Sequence, residues 1–126
     1  MSESIVKLKI ALQAPEMKTV DLHQFTKDLL QEVKELEVNS ASLISVAETP
    51  MGSEHSSFGG FLLGALKTQV KPANLRSILL YLRDKLADRP IEMEVELKGR
   101  RLILNPDTQT DFNEAIEKTQ KFIEES

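Results

Sequence analysis

The sequence predicts an α+β domain in which one four-stranded mixed sheet carries its helices on a single face. Three observations lead to this class: an alternating strand pattern at the start of the chain, leucine patterns with helical spacing, and a sharply defined hairpin. The expected order is a β-α-β unit, two helices, a β-hairpin and a C-terminal helix. With 126 residues the chain has the length of one domain, so residues 1–126 are expected to share one core.

The first part of the chain predicts the β-α-β unit. Residues 5–12, "IVKLKIAL", alternate apolar and polar side chains, which is typical of a strand with one wet face. Residues 21–36 carry apolar side chains at spacings of three and four, and Asp21 with Gln24 forms a capping-box pattern. Residues 41–47, "ASLISVA", follow as a second strand. Strand, helix and strand in this order favour a parallel crossover.

A long polar connection and an apolar run separate this unit from the next helix. Residues 48–60 are rich in glycine and serine and exceed the common loop length, so we expect a mobile loop there. In the run "FGGFLLGAL", residues 58–66, the apolar side chains have helical spacing, although Gly60 and Gly64 disfavour a helix. Three roles remain open for this run: a core helix, a surface that docks a partner, or a membrane-active segment. Leu63 is the side chain expected to be exposed.

The last third of the chain has the clearest patterns. A leucine stripe predicts a helix that starts at Pro72, where proline is tolerated, and ends before Pro90. Residues 91–104 alternate on both sides of Lys98-Gly99, which predicts a two-residue hairpin turn with Val95 opposite Leu102. A final helix is expected to begin at Asp111, with Glu114 completing its cap, and to carry apolar side chains as far as Ile123.

The residue types argue against several kinds of chemistry. The chain has no cysteine, and its two histidines, His23 and His55, lack a metal-ligand spacing, so no metal or other cofactor is expected. The row Glu92, Glu94 and Glu96 fits the wet face of a strand better than an acid–base pair. Serines beside His55 have no fixed third group, so no catalytic residue is expected and the protein is not predicted to be an enzyme.

Charge and hydropathy narrow the expected partners. The net charge of −4 argues against nucleic acid as a partner, because phosphate binding depends on clustered Lys and Arg. The one cationic stretch, residues 67–89, fits either a solvated helix face or a surface for an anionic partner or lipid headgroups. No run of 18 apolar residues and no leader pattern is present, so we expect a cytoplasmic protein.

The order of these features resembles the bacterial effector-associated constant component family. The resemblance is carried by the opening Lys-Leu-Lys-Ile strand, the loop "PMGSEHSS", the run "FGGFLLGAL", the basic leucine helix and the segment "IEMEVELKGRRLIL". It covers residues 5–123. It implies a small non-enzymatic component of a bacterial conflict system, encoded beside a caspase-like or trypsin-like protease or a regulatory NTPase. The family has no catalytic residues to carry across.

The sequence therefore predicts a non-enzymatic binding or adaptor component of a bacterial defence-type system, with a protease or NTPase effector as its partner. The alternatives are a membrane-perturbing effector released by cleavage of the 48–60 loop, and an enzyme subunit or ligand-binding domain with a polar pocket. A homo-oligomer is also compatible with the pattern. The expected partner-binding residues are Met51, Gly52, Phe58, Gly59, Gly60, Phe61, Leu62, Leu63 and Gly64.

Overall fold

A computed structural model describes residues 4–14, 16–45, 57–58, 60–86 and 89–125. Within these residues the chain is an α+β structure, as predicted. Most of the expected 48–60 loop lies outside the described residues. The elements are, in chain order, β1 (Val6–Leu12), α1 (Thr19–Lys34), β2 (Ser40–Ser45), β3 (Ser57–Phe58), β4 (Phe61–Val70), α2 (Pro72–Lys85), β5 (Ile91–Leu97), β6 (Arg100–Leu104) and α3 (Gln109–Glu124).

The strands form one sheet in the order β2-β4-β1-β5-β6, with the two-residue β3 paired to β4. Every pair of neighbouring strands is antiparallel. The expectation of a four-stranded mixed sheet is therefore wrong in both strand number and direction. The fifth main strand is β4, which comes from a segment expected to be a helix.

The helical connections α1 and α2 each join two strands that are not neighbours. Strands β1 and β2 run in the same direction, but β4 lies between them; β4 and β5 also run in the same direction, with β1 between them. Each β-α-β unit is therefore split by a strand of the other unit. This is the β-α-β-β-α-β topology of ferredoxin-like folds, extended here by β6 and α3. The expected direct crossover between neighbouring parallel strands is wrong.

The β5–β6 hairpin has the predicted register. Leu97 lies opposite Arg100 and Val95 opposite Leu102, and Lys98 and Gly99 form the two-residue turn. Both turn residues have positive φ, 53° and 80°, which is the conformation of a type I′ turn. The turn type matches the right-handed twist of the strands, so the alternating pattern and the turn agree on one register.

The apolar run enters the sheet as β4 and not as a helix. Gly60 and Gly64 both have positive φ, 83° and 73°, which a right-handed helix does not contain. Between Leu43 and Ser45 of β2 the pairing with β4 shifts, so this part of β4 forms a bulge. A tight turn followed by a bulged strand reproduces the three-and-four spacing that predicted a helix.

The helix starts differ from the predicted ones. Helix α1 begins at Thr19, with Lys18 at the N-cap and no side-chain cap, so the expected capping box at Asp21 is wrong. Helix α3 begins two residues before Asp111, and the Thr108 hydroxyl accepts the hydrogen bond from the Asp111 amide. Only α2 starts where predicted, with Pro72 in its first turn.

One face of the sheet carries the main core. The inward side chains of β1 and β5 pack with the apolar faces of all three helices in one cluster. Because each of these strands alternates buried and more exposed residues, the helices lie together on that face, as predicted. The central strands contribute Val6, Leu8, Ile10, Leu12, Ile91, Met93, Val95 and Leu97.

Gly64, in β4, should be the least replaceable of the glycines that the structure describes. A Cβ at Gly64 would lie 3.1 Å from the Leu12 carbonyl oxygen and 3.3 Å from Leu22 Cδ2, in addition to the strain of φ +73°. We expect Gly64→Ala to lower the free energy of unfolding by about 2–4 kcal/mol. Urea unfolding followed by circular dichroism measures this change.

Gly60→Ala is the matched control. Gly60 has a similar φ of +83°, but a Cβ there meets nothing within 4 Å. Only the backbone strain remains, so the expected loss is about 1 kcal/mol. Equal losses in the two variants would show that the contacts at Gly64 do not constrain the fold.

Candidate functional site

The residues expected to bind a partner are divided between the sheet and the undescribed part of the chain. Met51, Gly52 and Gly59 lie outside the described residues. Phe58 and Phe61 are backbone partners in the β3–β4 hairpin, and Gly60 is exposed in its turn. The predicted set is therefore not seen as one continuous surface.

The remaining three predicted residues are largely inside the protein. Leu62 is buried, and Gly64 is buried against β1 and α1. Leu63 is half-buried and packs against the main core, so the expectation that it is exposed is wrong. These residues can help a docking surface only by shaping the backbone of β4.

Leu62 belongs to a second, smaller apolar cluster. It packs with Ile44 and Ala65, and Ala11 lies against them. Ala11 and Ala65 are paired across β1 and β4, and both neighbours of Ala11 in β1 bury their side chains in the main core. Since side chains alternate along a strand, the second cluster lies on the face of the sheet away from the helices.

That face, which we call the open face, carries most of the polar side chains of the sheet. Among the described residues no helix packs on it. Its more exposed part consists of Lys7, Lys9, Ser40, Ser42, Lys67, Gln69, Glu92, Glu94, Glu96, Arg101 and Ile103. The second apolar cluster lies on the same face. A shallow depression of about 250 Å³ lies among its lysines and serines.

The charges of the open face are arranged in rows along the strands. Lys7 and Lys9 of β1 lie opposite Glu96 and Glu94 of β5. Lys9 Nζ is 3.8 Å from a Glu94 carboxylate oxygen, and Arg101 approaches the other oxygen of that carboxylate at 3.7 Å. Glu94 is the most enclosed of these three contacting residues, with 22% of its side chain exposed against 47% for Lys9 and 66% for Arg101. A basic row therefore runs beside an acidic row, with Glu94 between two cations.

Two further features of the open face concern its flanking strands. Lys9 lies directly opposite Lys67 of β4, so two cations occupy opposed positions in neighbouring strands. Ile103 of β6 is 54% exposed and is one of two large apolar side chains recorded as exposed among the described residues. Sequence reasoning missed this surface, although the alternation of β1 and β5 had already assigned the lysines and glutamates to one face.

The basic residues of α2 have partners within the helical layer. Arg76 pairs with Glu117 of α3 at 2.8 Å, and Arg83 donates to Asn113 of the same helix at 2.9 Å. Lys85 reaches Glu32 of α1 at 3.0 Å. This part of the cationic stretch therefore ties helices together, which matches the interpretation as a solvated helix face.

The Glu32–Lys85 contact includes Tyr81. The Glu32 carboxylate accepts hydrogen bonds from Lys85 and from the Tyr81 hydroxyl, and both lower the pKa of Glu32. Burial, followed by the hydrogen bond to Glu32, raises the pKa of Tyr81 to about 12. Lys85 Nζ also lies 5.8 Å from the centre of the tyrosine ring. The group is a polar clasp between α1 and α2.

The other candidate chemical groups do not come together in the described residues. His23 is half-buried on α1, whereas His55, Ser53 and Ser56 fall outside the described residues. Across the ranges that are described, no three His, Cys, Asp or Glu side chains are close enough to hold a metal ion. Nor does any helix in those ranges have the length and apolarity needed to cross a membrane.

Comparison of the chain with protein-family models, with curated proteins and with solved structures finds no match. The functional argument therefore depends on the geometry of the open face.

The Tyr81 titration tests the clasp directly, because Tyr81 is the only tyrosine and the chain has no tryptophan. The near-ultraviolet absorbance of tyrosinate should report a pKa of about 12, against the usual 10.0. In Glu32→Gln the pKa should fall towards 10.0 but stay above it, because burial is the larger cause. Glu117→Gln, on α3, is the control and should leave the titration unchanged.

The sign of the stability change follows from the direction of the shift. The pKa of Tyr81 is raised in the folded state, so its contribution to stability is fully present below the unfolded pKa of 10.0. This contribution is lost as the pH rises from 10.0 to about 12. Glu32 acts at the other end of the pH scale: its lowered pKa stabilises the fold above pH 4.5, and this is lost in acid. A wild-type tyrosine that titrates near 10.0 would contradict the clasp.

Proposed function

We propose that the protein is a non-enzymatic binding component of a multiprotein assembly and that the open face is its contact surface. The observation that carries this proposal is the one-sided architecture: α1, α2 and α3 share one core on one face of the sheet. The other face presents a basic row beside an acidic row. A charged sheet face can position a protein surface by electrostatic complementarity.

The details of the open face support a binding role over a purely solvated one. An antiparallel sheet can have one wet face without any function. A solvated face gains nothing, however, from exposing Ile103. This exposure becomes favourable when an aliphatic stem of another molecule covers the side chain. Local rules are most often broken at functional positions.

The resemblance described above supplies the biological setting of the proposal. It suggests a bacterial conflict system, with a protease or a regulatory NTPase as the effector that the assembly contains. In this setting the open face connects the chain to another subunit of the assembly.

The membrane-perturbing alternative has no supporting observation in the described residues. The apolar run continues into β4, which is paired with β2 on one side and with β1 on the other. Leu62 and Leu66 are buried. Exposing them to lipid would require removing an interior strand from the sheet.

Site-specific photo-crosslinking in cells tests the proposed contact surface. Gln69 lies on the open face and Gln31 on the outer side of α1, and both are exposed. A benzophenone amino acid at Gln69 should give a protein adduct, whereas the same group at Gln31 should not. Mass spectrometry of the adduct then identifies the crosslinked chain.

The outcomes separate the parts of the proposal. An adduct with a protease or NTPase encoded beside this gene, or with a complex that contains one, supports the conflict-system role. The absence of any adduct from Gln69, or equal adducts from both positions, would contradict the open face as the contact surface.

A further inference from the structure

We propose that the occupant of the open face is a second copy of this chain, in a twofold dimer in which β1 of each copy lies over β5 of the other. This inference rests on the proposed function, because it takes the open face as the contact surface and names its partner. The argument comes from the register of the sheet and from the order of its charges.

The basic and acidic rows become complementary under one simple rotation. Consider a twofold axis parallel to the strands, placed above the open face and midway between β1 and β5. Rotation about this axis reverses the order of the strands across the sheet, but each residue keeps its position along the strand direction. Lys7 and Glu96 are at the same level, as are Lys9 and Glu94. The rotation therefore brings Lys9 over Glu94 of the second copy and Lys7 over Glu96 of the second copy. By symmetry, Glu94 and Glu96 of the first copy lie over Lys9 and Lys7 of the second.

The flanking strands are also compatible with this rotation. It places β4 over β6 of the second copy. Lys67 is level with Lys9 and Ile103 is level with Glu94, so the aliphatic stem of Lys67 covers the exposed Ile103 of the second copy. Gln69 is level with Lys7, and Arg101 with Glu96, so Gln69 meets Arg101 of the second copy. Among these described positions, no two like charges are superposed.

The dimer adds favourable contacts on the open face. Lys9 gains the Glu94 carboxylate of the second copy above it, and Ile103 loses its contact with water. Lysine and glutamate side chains extending from both sheets are long enough to meet across the roughly 10 Å that separates two stacked sheets. An unrelated partner would have to present the same two rows at the same spacing, which a second copy does automatically.

The size of the contact predicts a weak dimer. Four overlapping strands of about seven residues give a footprint of roughly 19 Å by 23 Å on each copy. The corrugated surface buried on the two copies together then lies at the low end of the range for specific interfaces, about 1,200 Å². Because the contact is rich in ion pairs, we expect a dissociation constant that rises with salt concentration.

A charge-swap experiment on the purified full chain tests this register. Lys9→Glu sets a carboxylate over Glu94 of the second copy, and Glu94→Lys sets an ammonium group over Lys9 of the second copy. Each variant should therefore dimerise at least about tenfold more weakly than wild type. In an equimolar mixture the two variants can form a heterodimer in which both contacts join opposite charges. At one contact the introduced glutamate at position 9 meets the introduced lysine at position 94, and at the other the native Lys9 meets the native Glu94. Sedimentation equilibrium over a concentration series should show a heterodimer in the mixture and mainly monomers in each separate sample.

Controls separate association from folding. Lys27→Glu, an exposed charge reversal on α1, should leave the dissociation constant unchanged. Thermal unfolding should remain cooperative for both swapped variants, because both side chains reach the surface. Glu94→Lys sets a third cation beside Lys9 and Arg101, so its unfolding midpoint should fall while the transition stays cooperative. Recovery in the mixture cannot come from changes within one chain, since each chain keeps its own altered residue.

Every outcome decides the inference. A wild-type chain that stays monomeric over the whole concentration series overturns it, and so do swapped variants that dimerise like wild type. Weakened variants whose mixture does not recover overturn the β1-over-β5 register. If the purified chain is monomeric and Gln69 still crosslinks to another protein in cells, the dimer fails while the proposed binding function stands. If Gln69 gives no adduct and the chain is monomeric, both fail.

Discussion

The position of β1 at the centre of the sheet is the constraint on which the rest of the structure depends. It pairs with β4 on one side and β5 on the other, and Val6, Leu8 and Ile10 are almost fully buried beneath the helices. Its alternate residues, Lys7 and Lys9, cannot enter that core without a large desolvation cost. The helices are therefore held to one face, and the other face remains polar.

The same strand sets the chemistry of the open face. Because β1 fixes the register of both neighbours, it aligns Lys7 and Lys9 with the glutamates of β5 and with Gln69 and Lys67 of β4. The charge rows are thus a direct product of strand pairing and would be lost in any shifted register. Ferredoxin-like topology alone implies no function, so the functional argument rests on these aligned side chains.

Polar interactions in the helical layer hold the three helices in one arrangement. The Glu32–Lys85–Tyr81 clasp and the contacts from Arg76 and Arg83 to α3 join helices whose apolar faces already share one core. Such exposed contacts add little stability individually but select one arrangement of the helices. Charged residues on the helical side therefore support the fold, whereas those on the open face belong to the contact surface that we propose.

Local patterns in the sequence determined β1, α1, α2, the β5–β6 hairpin with its register, and α3, because each depends on neighbours within a few residues. Tertiary structure alone decided the strand order, the antiparallel directions and the identity of residues 61–70. The run around Gly64 has a spacing that both a helix and a bulged strand satisfy, and the unpaired edges of β1 and β2 selected the strand. Alternation in the sequence assigned the wet faces of β1 and β5, but the charge rows of the open face exist only once β4, β1 and β5 lie side by side.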